Sequence, residues 1–174
     1  MAARLSFEHV YAEHFQFVWR SLRALGVHSS QAEDAAQDVF VVVHRRLPEF
    51  EGNEYVRTWL FAIAMRVASD HRRRSRTFEE LSVADTVLDK RPSPLDVTVH
   101  NENVQLLERA LERMEEHHRL VFFLMDVEEL RANEVSEILS INVNTVYSRL
   151  GRARERFNEI VAQLGAPRSS KGTP

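Results

Sequence analysis

The sequence contains no cysteine, and only five glycines and five prolines among its 174 residues. The absence of cysteine excludes disulfides, thiolate metal sites, iron-sulfur clusters and cysteine nucleophiles, and is typical of a reducing compartment. The longest apolar run, Trp59 to Met65, is far shorter than the roughly 20 residues of a membrane-spanning helix. The first residues lack the pattern of a signal peptide. We therefore expect a cytoplasmic protein without direct membrane insertion.

The chain also lacks an excess of positive charge. It carries 23 Lys and Arg against 26 Asp and Glu, a formal net charge of -3. No global positive field draws it to nucleic acid or to a membrane, so any DNA binding must depend on local patches. Apolar residues make up 44% of the sequence, which is enough for the cores of one or two small domains.

The stretches between the glycines and prolines show the periodicity of helices and no strand-like alternation. Residues 77–103 differ from the rest, because they carry two basic and six acidic side chains together with Pro92 and Pro94. That composition predicts an acidic linker. We therefore predict an all-α fold of two small helical domains, residues 1–76 and 104–164, joined by the linker and followed by a disordered tail at 165–174.

In the first domain, a helix is predicted to start at a Ser30 cap and to end before Pro48. Its apolar residues follow the spacing of a helix that buries one face; they are Ala32, Ala35, Ala36, Val39, Phe40, Val43 and Leu47. The opposite face is polar with one exposed branched apolar side chain, and spacing alone makes it most simply a solvated face. Its residues are Asp34, Gln37, Asp38 and Val41.

A second helix is predicted from about Tyr55 to Arg74, and it ends in a basic cluster. Favourable interaction with the helix dipole does not explain four arginines in five positions, so this end is predicted to contact phosphates. The four are Arg72, Arg73, Arg74 and Arg76. The preceding loop has two aromatic residues, a glycine and an amide that could enclose an unstacked base, although most such loops are simple turns. These loop residues are Phe50, Gly52, Asn53 and Tyr55.

The second domain ends in the pattern of a helix-turn-helix: residues 132–139, a break at 140–142, and a helix from Val143 to Phe157. Asn142 is placed to cap the last helix. One stripe of this helix is apolar and is expected to pack, namely Val146, Leu150, Ala153 and Phe157. An adjoining stripe is free of acids and is predicted to read DNA; with Asn144 it comprises Thr145, Ser148, Arg149, Arg152 and Arg156.

Two groups of motifs resemble conserved regions of bacterial sigma factors. Residues 32–40 (AEDAAQDVF), followed by 50–52 (FEG), 57–60 (RTWL) and 63–64 (IA), are similar to the second region. Residues 134–139 (EVSEIL), 144–150 (NTVYSRL) and 152–154 (RAR) are similar to the fourth. The small size, without a further domain, resembles the extracytoplasmic-function branch.

The resemblance implies a dissociable subunit of RNA polymerase that directs promoter recognition, promoter melting and transcription initiation. Such a subunit is not an enzyme, and we expect neither a cofactor nor a metal. Partners would be core polymerase, through the clamp helices of its largest subunit and through its flap, and promoter DNA. An anti-sigma factor, often one at the membrane, would hold the protein inactive. The linker would thread the polymerase cleft toward the RNA exit channel, where its negative charge suits a positive path.

The resemblance also implies a division of residues among these partners. The clamp helices would contact Asp34, Gln37, Asp38 and Val41. The minus-ten element would contact Phe50, Gly52, Asn53, Tyr55, Arg66, Arg72, Arg73 and Arg74. The minus-thirty-five element would contact Asn144, Thr145, Ser148, Arg149, Arg152 and Arg156.

The sequence departs from the family pattern at three positions. Ser140 stands where glycine is common, and would be mildly strained in a left-handed turn. Glu51 replaces a commonly basic residue. Arg66 occupies a position that is often asparagine, so the minus-ten preference of the family does not transfer.

Three alternatives remain open from the sequence. A stand-alone helix-turn-helix regulator would bind DNA specifically without polymerase. A metal enzyme has little support among the eight histidines, since His117 and His118 are adjacent and expected to point in different directions. The helix from Trp59 to Arg76 could lie on a membrane surface, but its apolar stripe is more easily used as core.

Overall fold

The computed structural model describes residues 5–51, 55–81 and 102–165. In these ranges the chain is helical and has no strand, which confirms the all-α prediction. The predicted tail and most of the predicted linker lie outside the described residues, as do the loop residues Gly52 and Asn53.

Three long helices form an N-terminal unit, which we define as residues 5–51 and 55–81. They are α1 (Phe7–Ala24), α2 (Ser29–Arg46) and α3 (Val56–Leu81), with a 3-10 turn (Leu47–Glu49) after α2. The predicted cap at Ser30 is wrong, because α2 begins at Ser29 and the imidazole of His28 accepts the hydrogen bond from the Ser30 amide. Helix α3 runs past the predicted end at Arg74, so the first residues of the predicted linker, 77–81, are helical.

Four helices and a π-helical turn form a C-terminal unit, residues 102–165. They are α4 (Glu102–Glu112), α5 (Glu116–Phe122) with the π-helical turn Phe123–Val127, α6 (Ala132–Leu139) and α7 (Val143–Gly165). The predicted helix-turn-helix is α6 and α7. The turn between them places Ser140 in the left-handed region, at φ 52° and ψ 45°, as its position predicts. The Ile141 amide then donates to the Ser136 carbonyl at 3.0 Å, which closes the turn.

The core of the N-terminal unit forms where α1, α2 and α3 meet. Alanines on the inner face of α2, among them Ala32 and Ala35, are fully buried; their small side chains allow the neighbouring helices to approach closely. Leu60 and Phe61 of α3 are also fully buried in this core. Burial of each of these two side chains contributes on the order of 2 kcal/mol to the free energy of folding. The predicted apolar stripe of α2 is therefore confirmed, with Leu47 only partly buried at its end.

The core of the C-terminal unit is smaller and lies between α4, α5 and α7. Phe122 stacks on Phe157 with ring centroids 4.6 Å apart, and Ala110 and Ile160 close the cluster. Val146, Leu150 and Ala153 are buried, so the packing stripe predicted for α7 is confirmed.

The two units also pack on each other. Buried residues of α5 and α6, such as Val121 and Val135, belong to the same apolar cluster as the core of the N-terminal unit. Glu128, which follows the π-helical turn, is 5% exposed, and its carboxylate accepts hydrogen bonds from Arg20 and Arg57 of the N-terminal unit. In this structure the C-terminal unit is thus held against α1 and α3.

Candidate functional site

The outer face of α2 presents the four residues predicted to contact polymerase. All four are exposed, Val41 to 50%, while the opposite face of the helix is buried. Val41 is the apolar member of this otherwise polar face. We call Asp34, Gln37, Asp38 and Val41 the α2 face.

Two features of this surface were missed by sequence reasoning. The Asp38 carboxylate lies 2.8 Å from Nε2 of His71 on α3, and helical spacing within α2 could not reveal a partner on another helix. Tyr11 of α1 lies beside Gln37 and Val41. Its ring centroid is 4.7 Å from that of Phe40. Tyr11 is 41% exposed, so the apolar part of the surface extends from α2 onto α1.

The described part of the loop predicted to contact the minus-ten element contains Phe50 and Tyr55. Phe50 stacks on Trp59 of α3, with ring centroids 4.4 Å apart and an interplanar angle of 21°. Tyr55 is 52% exposed at the start of α3. The structure brings Phe50 to an aromatic partner that the loop sequence alone did not indicate, since Trp59 lies a full turn inside the helix.

The arginines predicted to hold the minus-ten DNA lie along α3. Arg66, Arg73 and Arg74 are exposed, whereas Arg72 is partly buried. Arg73 forms an ion pair with Asp70, and Arg72 lies 3.1 Å from Glu116 of the C-terminal unit. Part of the basic cluster is therefore already neutralised by acids in this structure.

Most of the stripe of α7 that is predicted to read DNA faces solvent. Asn144, Ser148, Arg152 and Arg156 are exposed; Thr145 and Arg149 are partly buried. The amide of Asn144 donates to Oδ1 of Asn142 at 2.8 Å, which confirms the predicted cap.

One arginine of the stripe has an acidic partner outside it. Arg156 lies 2.9 Å from Glu159, one turn further along the same helix. Arg149 and Arg152 form no such pair among the described residues, which leaves their guanidinium groups available to a ligand.

His117 and His118 do not point in different directions, as the sequence led us to expect. Their ring centroids are 4.1 Å apart, and ring nitrogens of His117 and His118 lie 3.3 and 3.8 Å from the same Glu115 oxygen. Desolvation lowers the pKa of His118, and His117, Arg152 and Arg149 lower it further against the opposing effect of Glu115. The same arginines make this cluster unfavourable for a cation.

Comparison with known proteins assigns the chain to a family. The sigma-70 region 2 profile matches residues 10–78, and the sigma-70 region 4 profile matches residues 104–157. The RNA polymerase sigma factor YlaC of Bacillus subtilis is 32% identical over 160 residues, covering 88% of this chain and 91% of the relative. The extracytoplasmic-function (ECF) sigma factor SigW of Bacillus subtilis is 30% identical over 149 residues, covering 77% of each chain.

A solved structure shares the fold. The sigma factor RpoE of Bartonella quintana, determined with the anti-sigma factor NepR, matches with a TM-score of 0.68 at 21% identity, covering 90% of this chain and 96% of that one. The protein is thus a two-region helical transcription initiation factor. It belongs to the ECF sigma factors of RNA polymerase.

The family assignment bears on the alternatives. Both halves of the chain match sigma-factor regions, which favours a sigma factor over a stand-alone helix-turn-helix regulator. The apolar stripe of α3 lies in the core, with Leu60 and Ala64 fully buried, so it is not available to a membrane surface. None of the helices in the described ranges is both long and apolar enough to cross a bilayer.

Proposed function

We propose that this sigma factor uses three separate surfaces for three tasks: the α2 face for core polymerase, the N-terminal end and arginines of α3 for the minus-ten element, and α7 for the minus-thirty-five element. The observation that carries the proposal is the exposure pattern of α7. Asn144, Ser148, Arg152 and Arg156 are exposed and Thr145 and Arg149 partly exposed, while Val146, Leu150 and Ala153 on the neighbouring stripe are buried.

The α2 face suits the clamp helices of the largest polymerase subunit. Its two carboxylates offer charge-assisted contacts, and Val41 offers an apolar anchor. Contacts with the polymerase flap through the C-terminal unit, and passage of the acidic segment 77–103 toward the RNA exit channel, complete the proposed path through the enzyme. The protein would act in the cytoplasm, where polymerase and DNA are found.

The N-terminal unit suits the melted minus-ten element. The stacked pair of Phe50 and Trp59 provides an aromatic platform, and Tyr55 at the start of α3 is exposed. A base that leaves the duplex can stack on such a platform, with roughly 1 to 3 kcal/mol per base. Gly52 and Asn53 belong to the proposed pocket, and Arg66, Arg73 and Arg74 would contact the DNA backbone.

The C-terminal unit suits the major groove. Helix α7 is the second helix of a helix-turn-helix, the helix that enters the groove in this motif. Arg149 and Arg152 can each bind a guanine edge with two hydrogen bonds. Thr145, Ser148, Asn144 and Arg156 would complete the contact.

We further propose that an anti-sigma factor holds the protein inactive. The RpoE structure of Bartonella quintana contains such a partner, the anti-sigma factor NepR, and a second similar fold is described as CnrH with the cytosolic domain of CnrY. Such a partner would compete with polymerase by covering the exposed side chains of Val41 and Tyr11. An anti-sigma factor anchored in the membrane would connect promoter choice to an external signal.

A gel-shift experiment with a promoter duplex tests the main proposal. The chain alone should bind weakly, since it has no net positive charge, and addition of core polymerase should produce a specific, heparin-resistant complex. Nanomolar specific binding by the chain alone, unchanged by core polymerase, would instead identify a stand-alone regulator.

A further inference from the structure

A small cavity lies between α1 of the N-terminal unit and the helices α4 and α5 of the C-terminal unit. Its volume is about 80 Å³, whereas one water needs on the order of 10 to 15 Å³. None of the residues that we propose to contact polymerase or DNA belongs to its walls. The cavity is therefore large enough for one substituted aromatic ring, and the proposed function does not use it.

The walls of this cavity are largely hydrocarbon. They include Trp19 of α1, Leu107 and Leu111 of α4, and Phe123 and Val127 of the π-helical turn. A buried water needs several polar partners, which such walls supply at few points. Rings and other apolar groups, by contrast, bind in pockets lined by aromatic and aliphatic side chains. The composition of the walls thus favours an aromatic ligand.

Two hydrogen-bond donors in the α1 wall have no acceptor. Nε1 of Trp19 and Nε of Arg23 are buried and have no hydrogen-bond partner among the described residues. The other nitrogens of Arg23 are engaged, since Nη1 donates to the Val27 carbonyl at 2.8 Å and Nη2 to Glu112 at 2.7 Å. Trp19 and Arg23 are four positions apart on one helix, so they are neighbours on the same face. Because a buried donor without an acceptor costs free energy, and most buried donors have one, a ligand with an acceptor would stabilise this wall.

The charge of the walls suits an anionic acceptor. Arg119 belongs to the α5 wall, and its guanidinium donates to the backbone carbonyls of Ala24 and Met114 at 2.6 and 3.4 Å, which do not neutralise its charge. The glutamates of the walls, Glu108 and Glu112, are each engaged in an interaction of their own. A carboxylate accepts hydrogen bonds from two donors at once, and such charge-assisted bonds are stronger than neutral ones. The walls therefore favour an aromatic ring that carries a carboxylate.

We propose that this cavity binds a small aromatic carboxylic acid. The ring packs between Trp19 and the leucines of α4, and the carboxylate accepts hydrogen bonds from Nε1 of Trp19 and Nε of Arg23. The site gives this sigma factor a small-molecule input that is separate from polymerase, DNA and an anti-sigma factor. The cavity would bind such an acid whether or not the surfaces proposed for polymerase and DNA are correct.

Fluorine NMR of the full chain labelled with fluorotryptophan tests the site, with benzoate as the probe. The sequence contains two tryptophans, Trp19 in the cavity and Trp59 outside it, and the Trp19→Phe and Trp59→Phe variants assign their resonances. Benzoate should shift the Trp19 resonance in a saturable manner, with a dissociation constant below about 1 mM. The Trp59 resonance should stay in place. An unshifted Trp19 resonance at about tenfold this concentration, or equal shifts of both resonances, would overturn the proposal.

Two smaller probes separate the contributions of the ring and of the carboxylate. Toluene has the ring without a hydrogen-bond acceptor, and acetate has the acceptor without the ring. Each should bind at least about 10-fold more weakly than benzoate, because each lacks one half of the interactions. Toluene binding as tightly as benzoate would show that the two donors play no part, and acetate binding as tightly would show the same of the apolar walls. Either result contradicts the proposed ligand.

A substitution that fills the cavity tests its location. Leu107→Phe places a larger side chain in the α4 wall and should weaken benzoate binding at least about 10-fold. Leu164→Phe is the matched control, because Leu164 is also partly buried in the C-terminal unit but does not line the cavity. The control should bind benzoate as the parent does, and an unchanged Trp59 resonance shows that each variant keeps the fold around that residue. Equal affinities of the two variants would place the benzoate elsewhere.

Removal of one donor tests the hydrogen bonds. Trp19→Phe keeps an aromatic ring in the α1 wall and removes Nε1, so benzoate should bind about 3- to 10-fold more weakly. Saturation transfer from the protein to the proton signals of benzoate measures this affinity without a tryptophan reporter. Trp59→Phe is the matched control and should leave benzoate binding unchanged. If the two variants bind benzoate equally well, Nε1 of Trp19 is not a donor to the ligand.

Discussion

The Asp38 carboxylate on α2 lies 2.8 Å from Nε2 of His71 on α3. This hydrogen bond connects the two functional helices of the N-terminal unit, because α2 carries the proposed polymerase surface and α3 carries the proposed minus-ten surface. The His71 side chain is 12% exposed while that of Asp38 is 53% exposed. The imidazole therefore holds one edge of the carboxylate and leaves the other free for a partner.

Asp38→Ala should weaken binding to core polymerase by about 10- to 100-fold, the range expected when a charge-assisted hydrogen bond worth roughly 1.5 to 3 kcal/mol is removed. Titration of labelled protein with core enzyme measures this affinity. Glu33→Ala, at the neighbouring exposed position outside the α2 face, is the control and should bind normally. Equal weakening in both variants would mean a general charge effect.

Arg149→Ala should reduce promoter use while leaving core binding intact. A pair of hydrogen bonds to one base contributes about 1 to 3 kcal/mol, so the expected loss in transcription at limiting DNA is roughly 5- to 150-fold. Arg154→Ala is the control, because that arginine pairs with Asp126 at 2.7 Å and lies off the reading stripe. If the Arg154 variant loses promoter use while the Arg149 variant keeps it, the assignment of the stripe is wrong.

Trp59→Ala should impair promoter melting, since it removes the partner on which Phe50 stacks. The loss should be about 1 to 3 kcal/mol in open-complex stability, measured by the fluorescence of a base analogue in the minus-ten element. A template with a pre-melted bubble at this element should recover most of the activity. Failure of that template to help would indicate a folding defect, which thermal denaturation of the variant would detect.

The protein should lose stability as the pH falls below neutrality. Desolvation lowers the pKa of His14 from 6.5, with Arg57 and His9 lowering it further and Glu13 opposing them. The unfolded chain therefore binds more protons than the native one below about pH 6.5, so stability is complete above that pH and declines until the folded pKa is reached. His14→Gln should flatten the dependence of Tm on pH between about 7.5 and 5.5.

Helical periodicity was sufficient for much of the fold. The inner face of α2 and the packing stripe of α7 were predicted from spacing alone, and both are buried, because an amphipathic helix has one way to satisfy its apolar residues. The predicted start of α2 was wrong, because the cap is the imidazole of His28 and histidine is not among the usual capping residues. Periodicity also gave no sign that α3 continues to Leu81.

Contacts between distant parts of the chain were beyond the reach of the sequence. Glu128 and Arg20 are more than a hundred positions apart, and only the packing of the two units brings them together. The same holds for His71 beside Asp38, and for Glu116 beside Arg72. Residue spacing indicates which side chains are neighbours on one helix. It therefore predicted the exposed faces, but not the side chains of other helices that contact them.

Run-off transcription with purified core polymerase and a library of genomic promoters tests the central claim most directly. The account predicts discrete transcripts that depend on the added chain, that disappear with Asp38→Ala because core binding fails, and that weaken with Arg149→Ala while core binding persists. Failure of the purified chain to associate with core polymerase, in the absence of any inhibitor, would contradict it.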